Sequence, residues 1–182
     1  TVVINEVGDK GTFNLCGGNG DNGGNDYVEL LNLSAEQVEI SGFILSDDKG
    51  PLDDGKFTFP SGTSIGAGEF LVLCKGDEDS FSFGIGGDDS VTLYAANGVD
   101  VVSTSGVLHE LGSAFLSFQR KLVGTYDYAK PTPGYPNVFP TVVINEVGDK
   151  GTFNLCGGNG DNGGNDYVEL LNLSAEQVEI SG

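Results

Sequence analysis

The chain has 182 residues, with 27 Asp and Glu against 8 Lys and Arg, a formal net charge of −19, and neither Met nor Trp. Contact with nucleic-acid phosphates or with anionic membranes needs clustered basic residues, so the charge excludes both partners. No run of about 18 apolar residues is present, which argues against insertion as a membrane-spanning helix.

In chain order, short apolar segments alternate with turn signals, as in an all-β sandwich or barrel. Residues 2–7 read as the first strand. A loop rich in Gly, Asn and Asp follows over 9–26 and holds Cys16. Residues 27–33 form the next strand, with Val28 and Leu30 alternating against Glu29. Segments 38–40 and 43–46 flank Ser41-Gly42, and 47–55 is an acidic turn. Residues 57–59 precede Pro60-Ser61-Gly62, and 70–74 is apolar enough for a central strand. Asn97-Gly98, between strands at 91–94 and 99–102, is a hairpin signal. The last clear strand is 115–120, and a Pro-rich connector over 131–140 follows. No signal peptide is visible, as in a mature or internal stretch.

Residues 141–182 repeat residues 1–42 letter for letter. A period of 140 residues exceeds that of a solenoid, so each unit is expected to be a domain with its own core. The expected layout is one unit over 1–140 and the first strands of an identical unit over 141–182. The junction Val138-Phe139-Pro140-Thr141 carries no linker scar, which favours a natural tandem array over an artificial duplication.

A series of motifs resembles the lamin tail domain family. They are Ile4-Asn5-Glu6-Val7; Asp26-Tyr27-Val28-Glu29-Leu30 with Asn32; and Ile40-Ser41-Gly42-Phe43-Ile44-Leu45-Ser46-Asp47. Phe59-Pro60-Ser61-Gly62-Thr63, Gly68-Glu69-Phe70-Leu71-Val72 and Asp89-Ser90-Val91-Thr92-Leu93-Tyr94 come next. Ser117-Phe118-Gln119-Arg120 and Thr132-Pro133-Gly134 with Asn137 complete the order, over about residues 2–137. The resemblance implies an immunoglobulin-like β-sandwich that binds or builds, with no common active site. The chain lacks the heptads and basic patch of nuclear lamins, so their role does not carry over, and its cysteines make it more similar to the secreted and surface members.

Each unit carries two cysteines, Cys16 and Cys74; the even count points to a disulfide in an oxidising compartment, with two buried free thiols as the alternative. Cys156 copies Cys16 and is expected to pair with a neighbouring copy. Asn19, Asp21, Asn25 and Asp26 offer oxygens suited to calcium, without EF-hand spacing, and a solvated turn-rich loop is the competing reading. Asp47, Asp48, Asp53 and Asp54 form a weaker candidate. Asn32-Leu33-Ser34, repeated at Asn172, is an N-glycosylation acceptor pattern, and Asn32 is expected to be exposed at a strand end. Tyr126, Tyr128 and Tyr135 could form a glycan-binding face or pack as core. A single histidine, His109, beside Glu110 and near Ser103, Ser105 and Ser113, gives little support for catalysis.

Two functions compete. One is a structural subunit of an extracellular filament, stalk or adhesive fibre, a head-to-tail homopolymer. The other is a calcium- or glycan-binding adhesion module repeated for avidity. In the first, Val143, Ile144, Val168, Leu170 and Leu171 of the second copy form an assembly segment that exchanges into a neighbouring body by strand addition; the alternative is beads on a string, in which every such segment folds with its own downstream body.

Overall fold

The hydrophobic positions of residues 1–138 close two antiparallel sheets over one core. The computed structural model describes residues 1–9, 16, 25–109, 116–139, 142–148 and 167–172. They fall into two units, Thr1–Val138 and Phe139–Gly182.

In the first unit the strands are β1 (Val2–Gly8), β2 (Tyr27–Asn32), β3 (Val38–Glu39), β4 (Ile44–Ser46), β5 (Phe57–Thr58) and β6 (Ser64–Ile65). They continue with β7 (Phe70–Cys74), β8 (Ser90–Tyr94), β9 (Val101–Val107), β10 (Ser117–Arg120) and β11 (Tyr126–Ala129). One sheet has the order β11-β10-β1-β2-β7, the other β5-β4-β8-β9, with β3 and β6 as a small accessory pair. This is an all-β, antiparallel, immunoglobulin-like sandwich. Its core holds Val2, Ile4, Val7, Val28, Leu30, Leu45, Leu73, Val91, Leu93 and Phe118. Each such side chain contributes roughly 1.5–3 kcal/mol when buried.

The Asn97-Gly98 hairpin forms as expected between β8 and β9. Gly98 takes φ +66°, and the Asn97 side-chain oxygen accepts the Val99 and Asp100 amides at 3.0 and 3.1 Å. Strand β9 runs farther than 99–102, to Val107, and strands β6 and β11 were not anticipated. Phe81, Phe83 and Ile85 are buried without joining a strand. They plug the end of the core as a loop, anchored where the Asp26 carboxylate accepts the Ile85 amide at 3.1 Å.

Every residue of β1 is buried, because the strand lies between β10 and β2 with both faces covered. A register shift between Ile4 and Glu6 inserts Asn5 as a bulge. The bulge resets the alternation of side chains. Val2, Ile4 and Val7 therefore all reach the core, while Glu6 turns to the opposite face beside its cross-strand partner Glu29.

The second unit contains β12 (Val142–Gly148) paired with β13 (Tyr167–Asn172).

Candidate functional site

Glu6 and Glu29 face each other across β1 and β2, and both are fully buried. Like charges opposite one another destabilise a sheet, and a buried carboxylate without donors is costly. Neutral donors resolve the conflict, and most of them come from the far end of the unit. Glu6 accepts from the Tyr27 hydroxyl, from Ser117 Oγ at 2.7 Å, and from the Thr132 amide and hydroxyl, both at 3.1 Å. Glu29 accepts from Asn5 Nδ2 at 2.6 Å and from the Gly134 amide at 2.5 Å. Asn137 completes the arrangement: its Nδ2 donates to the Asn5 carbonyl at 3.0 Å and to the Arg120 carbonyl at 2.9 Å. The closing turn is thus fastened to the two carboxylates like a latch.

The electrostatics follow from burial. Loss of water pushes the Glu29 carboxyl up to about 7, against the downward pull of the Gly134 amide and the Asn5 side chain. Burial and then the Glu6 carboxylate hold the Tyr27 phenol well above its ordinary value, so it stays a donor. Its ring lies over Gly8, where an added Cβ would sit 2.2 Å from the ring. Only glycine allows that approach, and the approach delivers the hydroxyl to Glu6.

The second hairpin reproduces the internal part of this site. Strands β12 and β13 pair from Val142↔Asn172 to Gly148↔Tyr167 with the same shift, between Ile144 and Glu146. Tyr167 donates to Glu146 and Asn145 to Glu169, as Tyr27 and Asn5 do in the first copy. An added Cβ on Gly148 would likewise sit 2.1 Å from the Tyr167 ring. The surroundings differ. Ile144 is 65% exposed where Ile4 is 0%, and Leu170 is 50% exposed where Leu30 is 0%. Val147, Val168, Glu146 and Glu169 are exposed as well.

The other candidates are placed as follows. Cys16 and Cys74 are joined in a disulfide across 58 positions, with Cα atoms 5.2 Å apart. Cys156 lies outside the described residues, as do Asn19 and Asp21. Asn25 and Asp26 are engaged in the fold: Asn25 Nδ2 donates to the Lys75 carbonyl at 3.1 Å, and Asp26 lies 3.4 Å from Lys75 Nζ. Asp47 holds Lys49 at 3.0 Å, and Asp53 caps the Gly55 amide at 2.8 Å.

The expected exposure of Asn32 is corrected: its side chain is fully buried. Its Nδ2 donates to the carbonyls of Glu36, Ile65 and Gly66, tying β2 to the β6 turn, so the folded unit offers no acceptor amide there. Asn172 ends β13, and its side chain is not among those described. Of Val143 only the strand position is described.

Tyr126 and Tyr128 do not form an open aromatic face with Tyr135. Both pack on Phe118, at 5.4 and 5.0 Å between ring centres, and they donate to the carbonyls of Ile4 and His109. Ser103 Oγ accepts the Ile4 amide and Ser105 Oγ the Val91 amide, whereas His109 packs edge-on against Phe118. Glu110 and Ser113 lie outside the described residues.

The latch itself was missed in the sequence, although Asn5, Glu6, Glu29, Thr132, Gly134 and Asn137 all fall within the family-like motifs. Two glutamates inside otherwise apolar strands were the available signal.

Compared with known proteins, the chain matches the family model described as Lamin Tail Domain over residues 1–107. That family is one of non-catalytic immunoglobulin-like domains. No curated protein matches the chain.

Proposed function

This chain belongs to the lamin tail domain family, and on that premise we propose that it is a structural subunit of an extracellular fibre, filament or surface stalk. In this reading sandwiches of the Thr1–Val138 kind are strung in tandem with a 140-residue period and joined head to tail. The observation that carries the reading is the exact second copy of the first 42 residues, whose hairpin keeps its register while exposing the side chains that its twin buries. Exposed apolar side chains favour association. The Cys16–Cys74 disulfide supports an oxidising, extracellular setting.

The adhesion reading draws less support, because Asn25, Asp26, Tyr126 and Tyr128 are spent on internal contacts. Electron microscopy of the purified chain tests the proposal. Filaments with a regular spacing of one sandwich are expected; separate globular particles at every concentration would sink it.

A further inference from the structure

We propose that two hairpin tips at one end of the sandwich, 97–101 and 121–125, form a docking site for one partner: the acidic turn 47–55 at the opposite end of a second copy of this chain. The site rests on the fibre reading, for which it supplies the joint between copies.

Hairpin turns are ordinarily polar, because Gly, Pro, Asn, Asp and Ser suit them best. The β10–β11 turn needs only its glycine. Gly124 takes φ +85° and donates to the Lys121 carbonyl at 2.9 Å, while the Lys121 amide donates to the Thr125 carbonyl at 2.7 Å. Leu122 and Val123 fill the two positions between, and both are almost fully exposed. The β8–β9 tip likewise exposes Val99 and Val101. The two tips flank the start of β1. Tyr126, which opens β11, donates to the Ile4 carbonyl, and the Ile4 amide donates to Ser103 Oγ in β9. Four aliphatic side chains on neighbouring tips form a patch, where single exposed ones would mean little. Arg120 and Lys121 at its rim are the only adjacent basic pair in a sequence of net charge −19. Asp127 anchors Lys121 at 2.7 Å, and Asp100, the acid of the other tip, accepts from Asn97 at 2.8 Å.

The opposite end carries the matching half, and strand register fixes which end each turn occupies. Strand β10 runs from Phe118 beside Val7 to Gln119 beside Glu6, so its turn points toward the Val2 end. Tyr128 pairs with Phe118 and donates to the His109 carbonyl, which puts the close of β9 at the Val7 end. Ser90 pairs with Val107, so β8 begins there. Ser46 pairs with Thr92, so β4 ends toward the same end, and turn 47–55 follows it. That turn exposes Leu52, at 90%, between exposed Asp48 and Asp54. Its shape is set from within, by Asp47 on Lys49 and by Asp53 on the Gly55 amide. Both surfaces are thus ordered before they meet, which lowers the entropy lost on contact.

Docking Leu52 between the two tips takes its side chain and those of Leu122 and Val123 out of water. It also brings Asp48 and Asp54 to Arg120 and Lys121. A joint between loops is small and weak alone, and an array of joints holds through avidity. Because it links opposite ends, every added copy leaves one end free, and the contact propagates.

The test uses the full 182-residue chain and sedimentation velocity over a range of concentrations. The unaltered chain is expected to grow past the dimer as concentration rises. A tip variant, Leu122→Asp/Val123→Asp, and a turn variant, Leu52→Lys/Asp54→Lys, should each weaken association by roughly tenfold or more. All four positions are exposed, so unchanged melting temperatures show that folding is intact. An equal mixture of the two variants is expected to form dimers and stop there, since the intact tips of one meet the intact turn of the other. A chain that stays monomeric at millimolar concentration, or a mixture that stays monomeric, overturns the site. A turn variant that associates as well as the unaltered chain would mean tip-to-tip pairing and overturn it too. Binding to phosphatidylserine vesicles that only the tip variant loses would assign the patch to a membrane instead. Filaments that persist in both variants would leave the fibre reading and remove this contact. Association that both variants abolish, in a chain that forms no filaments under the electron microscope, would do the reverse.

Discussion

The two copies of one hairpin separate what a sequence encodes locally from what it borrows. Both hold the same antiparallel register, the same bulge after Ile4 or Ile144, the same tyrosine over glycine and the same tyrosine–glutamate bond. These features come from side-chain alternation and close packing within the hairpin itself. Burial comes from elsewhere: in the first copy the apolar face joins a core with residues of 43–138, and Ser117, Thr132 and Gly134 add donors to the carboxylates. The duplication is thus an internal control, in which any substitution can be made once in a hairpin whose apolar face is buried and once in one whose apolar face is exposed.

The largest difference is expected at the apolar face. Ile4→Asp places a charge in the core and should cost more than about 4 kcal/mol, abolishing cooperative unfolding of the first unit. Ile144→Asp should stay within about 0.5 kcal/mol. Denaturant unfolding followed by circular dichroism checks both; equal effects would mean that the second hairpin has a body of its own.

The carboxylates come next. Glu29 titrates near 7 when folded, above its ordinary 4.5, so the folded unit holds the proton more tightly than the unfolded chain. The stability it contributes is complete below about pH 4.5 and is lost as pH rises through 7, a difference of about 3 kcal/mol. Glu29→Gln should flatten that part of the profile, whereas Glu169→Gln should leave it unchanged. Urea titrations between pH 4 and about 8 read the slope.

The smallest contrast is at glycine. Gly8→Ala drives the Tyr27 ring off its seat and should cost about 1–3 kcal/mol as overpacking. Gly148→Ala should cost less, because Tyr167 is only half-buried where Tyr27 is fully buried. Melting temperatures of the two variants decide it.

Much of the sandwich was legible in the sequence because strands such as 27–33 and 91–94 carry period-2 alternation and end at turn residues. Asn97-Gly98 fixes its hairpin locally, through the positive φ of Gly98 and the bonds of the Asn97 side chain to the next amides. Strand β6 was not legible, since Ser64–Ile65 is two residues long and has no period to read. Strand β11 was hidden because Tyr126–Ala129 alternates aromatic and small or acidic residues without an aliphatic run. Asn32 was misplaced for a related reason. A polar residue at a strand end is normally solvated, and only the fold brings three carbonyls to it. The latch belongs to the same class, since Glu6 and Thr132 are 126 positions apart and no local pattern links them.

That separation also orders events during synthesis. A ribosome adds about 5–20 residues per second, so Glu6 emerges roughly 6–25 s before Thr132 can reach it. Throughout that interval Glu6 and Glu29 lack the donors that Thr132 and Gly134 supply in the folded unit. The sandwich therefore cannot mature from its amino end onward; it closes backwards, when its last turn arrives. Nascent chains on one polysome would be at different stages of that wait and within reach of each other's closing turns.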